Sequence, residues 1–89
     1  MSMPLTKAAG RFSETVIDNE VVVMSLDTGD FFSLTGTARD IWDLIDGTRD
    51  AEEIVTTLAE RYAMPRQSIA AELRAFVDQL TSAGLLAGS

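Results

Sequence analysis

The side chains of this chain that can hold or move a proton near neutral pH are its fourteen carboxylates, because the 89 residues include neither histidine nor cysteine. There is therefore no thiolate nucleophile, no Ser-His-Asp arrangement and no His/Cys zinc site. An acid–base enzyme would have to work from carboxylates alone. Asp40, Asp43 and Asp46 recur every three residues along one stretch. They read as a solvated acidic edge that could face a partner, and no ligand-spaced loop accompanies them to hold a metal. Asp30 stands beside a short aromatic run, while Glu72 and Asp78 fall in the last helical segment. A solvated surface charge is the plainer account of each, and contact with basic groups of a bound partner is the more specific one. With no nucleophile–base pair and no cofactor motif, the chain reads as a binding protein without catalytic residues, cofactor or metal.

The charge balance narrows the choice of partner. The net charge is −7, with Lys7 as the single lysine. That is the wrong sign for a protein that gains affinity by neutralising phosphates, so no nucleic-acid partner is expected. It suits a basic or mixed-charge partner, or simply solubility. No window approaches the ~18 consecutive apolar residues of a membrane span, and the N-terminus lacks the apolar core of a secretory signal. Without cysteine there is no disulfide framework, and a cytoplasmic location is the default. The hydrophobic content of 46% argues for one folded domain with a small core.

The elements that must position these groups follow from periodicity. Residues 1–10 are small and polar and read as a flexible lead-in, leaving 11–87 as a single domain. Phe12 to Ile17 is strand-like, Asp18-Asn19 is a hairpin turn signal, and Glu20 to Leu26 is the clearest strand. Along it Val22, Met24 and Leu26 share one face, with Val21, Val23 and Ser25 on the other. Asp27-Thr28-Gly29-Asp30 is a second turn. Phe31 to Leu34 is the third strand, placing Phe32 and Leu34 on one side and Phe31 and Ser33 on the other. Everything after Thr35 is helical. Thr35 or Thr37 caps a first helix with Ala38, Ile41, Trp42 and Ile45 on its apolar face, and Gly47 ends it. Asp50 and Glu53 form a capping box for a second helix whose stripe is Ile54, Val55, Leu58 and Tyr62. Pro65 precedes a third, carrying Ile69, Leu73, Phe76, Val77 and Leu80. Gly84 closes it, and Leu85-Leu86 folds back as an apolar tail. The order βββααα predicts an α+β domain: a three-stranded antiparallel sheet followed by three helices.

The third strand comes last in its meander and is expected at a sheet edge, where unpaired N–H and C=O groups are a hazard unless a partner uses them. The apolar arc of the third helix is wider than packing against one neighbour needs. Leu73 and Leu80 read as core, and Phe76 and Val77 as nearer a groove beside the strand. Phe32 and Leu34 read as core, Phe31 as a contact residue, and Trp42 as a hydrophobic anchor between helix and sheet.

The ordered set from Phe31 through Gly47, then Glu53-Ile54, Leu58, Tyr62, and finally Leu80 with Gly84-Leu85-Leu86, resembles the PqqD family of RiPP recognition elements. Thr35 stands where that family more often has asparagine, and threonine is also an accepted N-cap. The resemblance implies a winged-helix-like βββααα fold. It also implies a stand-alone, non-catalytic protein that binds the leader of a ribosomally made precursor peptide. The leader would add a strand to the free edge of the third strand, rest against the third helix, and be presented to a modifying enzyme, a radical-SAM protein or a leader peptidase. On this chain the peptide-binding positions would be Asp30, Phe31, Phe32, Ser33 and Leu34 on the strand, with Glu72, Leu73, Phe76, Val77 and Leu80 on the helix. A monomer or weak homodimer is expected. Two other classes remain open: a winged-helix DNA-binding regulator, and a structural adaptor or homodimer pairing through the third strand.

Overall fold

The computed structural model describes residues 4–87. Its elements are β1 (Thr6–Lys7), β2 (Phe12–Ile17), β3 (Glu20–Ser25), β4 (Phe31–Leu34), α1 (Gly36–Leu44), α2 (Ala51–Tyr62), α3 (Arg66–Ser82) and β5 (Leu86–Ala87). Strands β2, β3 and β4 form the expected antiparallel meander in that order, and three helices follow, so the fold is α+β.

The two-residue period of β3 decides which face is buried. Val21, Val23 and Ser25 turn inward and are buried, while Val22 and Met24 are half-covered on the outer face. On β4, Leu34 is buried and Phe32 half-buried on the inner side, with Phe31 and Ser33 exposed on the outer one. The helices lie against the inner face. Ile41 and Trp42 of α1, Ile54, Val55 and Leu58 of α2, and Ile69, Leu73, Phe76 and Leu80 of α3 meet Val21, Val23 and Leu34 in one core. Trp42 is fully buried. Its indole N–H donates to the Glu14 carboxylate, Phe12 meets the ring edge-on at 5.2 Å, and the Lys7 ammonium lies 4.3 Å over it. A large aromatic with a polar handle is suited to this place, because burial of the ring does not strand its donor.

The helix boundaries follow from local chemistry. Thr35 is the N-cap of α1, in extended conformation, and Gly36 takes φ +57° to turn the chain from β4 into the helix. That left-handed region costs a side-chain-bearing residue ~1–2 kcal/mol, which makes glycine the fitting residue there. The capping box of α2 is complete, with Asp50 accepting from the Glu53 N–H and Glu53 accepting from the Asp50 N–H. Tyr62, read as part of the buried stripe of α2, instead lies near the surface, where its hydroxyl donates to Asp40. That hydrogen bond, with the carboxylate charge close by, raises the phenol above its usual pKa.

The lead-in also differs from expectation. Its first three residues lie outside the described ones. From Leu5 onward the backbone is hydrogen-bonded into the fold. Leu5 donates to the Arg49 carbonyl and accepts from the Gly47 N–H, both at 2.9 Å, and Ala8 donates to the Leu85 carbonyl at 2.8 Å. Strand β1 pairs antiparallel with β5, so the two ends of the domain clasp in a second, two-stranded sheet. Small polar side chains hide this because main-chain donors and acceptors pair irrespective of the side chain they carry.

Ser25 is the one buried polar residue among those described. Its hydroxyl donates to the Ala83 carbonyl at 2.8 Å and accepts from the Thr28 N–H at 3.3 Å, tying the β3–β4 turn to the C-terminus of α3. Replacing Ser25 with Ala should lower unfolding stability by ~1–3 kcal/mol, the cost of leaving a buried carbonyl unpaired. Urea denaturation checks this. The C-cap of α2, Ala63, sits at φ +53°, so Ala63→Gly should raise stability by up to about 1 kcal/mol by relieving left-handed strain. The melting midpoint is expected to rise.

Candidate functional site

The site is built from one strand edge and the helix flank that faces it. Strand β4 pairs with β3 alone, so its other side is open. The register fixes which backbone groups point there. The Ser25 N–H donates to the Asp30 carbonyl at 2.9 Å, and the ladder continues through Met24↔Phe31, Val23↔Phe32, Val22↔Ser33 and Val21↔Leu34. Hydrogen-bonded and non-bonded pairs alternate along an antiparallel ladder. Phe32 and Leu34 therefore turn their N–H and C=O toward β3, and Phe31 and Ser33 turn theirs to the open side. The edge presents a donor and an acceptor at each of those two positions.

Beside the edge runs a trough between β4, the start of α1 and one flank of α3. It consists of two hollows, with Gln79 in the lining of both. One, of about 450 Å³, lies among Thr35, Thr37, Ala38 and Ile41 on one wall and Glu72, Ala75, Phe76 and Gln79 on the other. The second, of about 360 Å³, lies among Asp30, Phe32, Asp78, Gln79, Ser82 and Ala83. No lysine or arginine lines either hollow. The Ser25–Ala83 hydrogen bond sits at the second end and fixes the spacing of strand and helix there.

Asp30, Phe32, Glu72 and Phe76 all line this trough, and Ser33 supplies outward main-chain groups from its rim. Leu34, Leu73 and Leu80 are core residues. Phe31 contributes main-chain groups to the edge, while its ring, 70% exposed, stands on the far face of the sheet. Val77 lines a different hollow on the opposite flank of α3, with Leu5, Val55 and Ala70. Gln79, Ala75 and Ser82 were missed by sequence reasoning. They follow Glu72 at intervals of three and four residues and so climb one flank of α3 next to Phe76. A search for small and polar residues at helical spacing beside the apolar stripe would have found them, whereas apolar periodicity marks only the core.

The row Asp40, Asp43 and Asp46 is not a bare acidic edge. Asp40 lies 3.7 Å from Arg61, Asp43 3.9 Å from Arg39 and Asp46 2.6 Å from Arg49. Hydrogen bonds from the Thr48 hydroxyl and N–H, with Arg49 alongside, hold the Asp46 carboxyl below its usual range. Among the described residues no group of three or more potential ligands is placed to hold a metal ion, and no helix is long and apolar enough to cross a membrane.

Comparison with known proteins bears on this geometry. Among curated protein sequences no significant match was found. Among solved structures, the chain is similar to TbiB1 in complex with the TbiA(beta) leader peptide, at 30% identity and a TM-score of 0.80, covering 100% of this chain and 98% of that one. The family model described as coenzyme PQQ synthesis protein D (PqqD) matches residues 20–86, the span that holds the meander from β3 onward, all three helices and the trough. The chain belongs to the PqqD family.

Proposed function

We propose that this protein binds the leader segment of a ribosomally synthesised precursor peptide by adding it as a strand to β4, and presents it to a separate modifying enzyme. The observation that carries the reading is the open edge of β4, with the main-chain groups of Phe31 and Ser33 turned outward beside a trough. Its membership of the PqqD family and its likeness to a protein held with a leader peptide support the same reading.

Energetics say what the trough must add. Two outward residues offer four main-chain hydrogen bonds, each contributing ~0.5–1.5 kcal/mol net. Ordering a flexible peptide costs ~2–5 kcal/mol or more. The two nearly cancel, so affinity has to come from side chains that the peptide buries in the trough at ~25 cal/mol per Å² of apolar area. The strand edge then supplies register and the trough supplies selectivity. The enzyme that receives the peptide, a radical-SAM protein or a leader peptidase, does the chemistry in this scheme, since the trough offers no nucleophile beside a base. A DNA-binding role is disfavoured by charge. The helix that would enter the major groove carries Arg66 and Arg74 against Glu72 and Asp78, in a chain of net charge −7.

Titrating the labelled protein with the TbiA(beta) leader peptide, or with the leader encoded beside its gene, should shift the amide signals of Phe31, Ser33 and the Glu72–Gln79 stretch of α3. Shifts confined to α2 and the acidic face of α1 would contradict the reading. Ser33→Pro removes an outward donor without touching the β3 ladder. It should weaken leader binding by about tenfold or more while leaving the melting midpoint nearly unchanged. Calorimetry on the folded variant distinguishes the outcomes, and undiminished binding would count against strand addition.

A further inference from the structure

We infer that the end of the trough between Asp30 and Asp78 selects a lysine or arginine side chain of the bound peptide. The inference rests on the leader-binding reading and concerns which sequence that leader carries. The register decides what reaches this end. A strand added to β4 exchanges hydrogen bonds with Phe31 and Ser33, so its residue opposite Phe32 points to the same side as Phe32, over the hollow of about 360 Å³.

The hollow matches the two chemistries of a long cationic side chain. Phe32 and Ala83 give it apolar surface on which a methylene stem can lie, and Asp30 and Asp78 stand at its walls to meet the charged head. Asp30 is preset for that contact. The Thr28 hydroxyl donates to its Oδ2 at 3.0 Å and leaves Oδ1 open. Four other carboxylates, Asp27, Asp40, Asp43 and Asp46, each lie within 4 Å of an arginine. No such pairing involves Asp30 or Asp78 among the described residues, although Arg74 lies one turn before Asp78 on α3 and lines a neighbouring hollow with it. A carboxylate pair left unmatched beside an open strand, over an apolar floor, disfavours an acidic peptide and favours a basic one at that one position. The other hollow, with Ala38, Ile41 and Phe76 among its walls, takes an apolar side chain. Because both face the same side of the added strand, the basic and the apolar residue must be separated by an even number of positions.

The test uses the intact protein as bait for a displayed library of random dodecapeptides, with binding to β4 confirmed by amide shifts at Phe31 and Ser33. Enriched peptides should share a lysine or arginine at an even spacing from an apolar residue. They should bind more weakly as salt is raised, and at least about tenfold more weakly to the Asp30→Asn, Asp78→Asn double variant, while Glu60→Gln, an exposed position on α2 away from the trough, changes affinity much less. Asparagine keeps the Thr28 contact available. If the double variant does not fold, replacing the shared basic residue of the peptide by glutamine reads the same preference on the unaltered protein. Peptides that bind at β4 without a basic residue, or equally well to the double variant, would overturn this inference and leave the leader-binding reading standing. A library from which nothing binds at β4 would overturn both.

Discussion

The buried serine at the end of β3 sets the parity on which both fold and site depend. Its N–H closes the ladder against the Asp30 carbonyl, and its hydroxyl ties the same turn to the carbonyl of Ala83, the C-cap of α3. Once Ser25 pairs with Asp30, the alternation of the antiparallel ladder leaves no freedom further along β4. Phe32 and Leu34 must bond inward and cover the core, and Phe31 and Ser33 must bond outward. A slip of one residue would carry Leu34 to solvent and Phe31 into the helices, so core burial and edge chemistry enforce the same register. The Ser25–Ala83 bond adds the third dimension, because it holds the helix at a set distance from the strand and so defines the width of the trough.

Helix α3 serves two purposes from adjacent stripes. Ile69, Leu73, Phe76 and Leu80 make the core, while Glu72, Ala75 and Gln79 run beside them along the trough. Phe76 belongs to both, buried against the core and forming part of the trough wall. The arrangement gives the site a rigid wall, since the residues that shape it are positioned by the same packing that stabilises the domain. The two walls also differ in chemistry. The β4 edge offers main-chain groups that pair irrespective of sequence, whereas the helix flank offers side chains. The other open edge, β2, exposes Val16 and Ile17, whereas β4 combines a free edge with an adjoining trough.

Much of this was legible in the residues. The alternation along Val21 to Ser25 and the 3-4 spacing in the helices reported the meander and the three helices, and Asp50 with Glu53 marked the start of α2. The edge position of β4 followed from its place before the first helix. What stayed hidden was tertiary. Leu5 to Ala8 are held by main-chain hydrogen bonds to segments far along the chain, which their side chains do not announce. Val77 is apolar and follows the trough residue Phe76, yet one residue is 100° of helix rotation, and it lines the other flank. Tyr62 follows the apolar stripe of α2, but its hydroxyl meets Asp40 near the surface. Ser25 looked like an ordinary strand residue, because nothing local shows that the end of α3 lies over it. The solvated acidic edge expected at Asp40, Asp43 and Asp46 overlooks local pairs, since Arg39 stands four residues before Asp43 and Arg49 three after Asp46, and only the Arg61 partner of Asp40 needs the fold to bring it near.

Amide hydrogen exchange at the four residues of β4 tests the central claim most directly. In the free protein the account predicts slow exchange at Phe32 and Leu34, which bond to β3, and fast exchange at Phe31 and Ser33, which face the open edge; a bound leader should slow the latter pair and leave the former as they were. Protection of Phe31 and Ser33 in the free monomer, or their continued fast exchange in the complex, would contradict it.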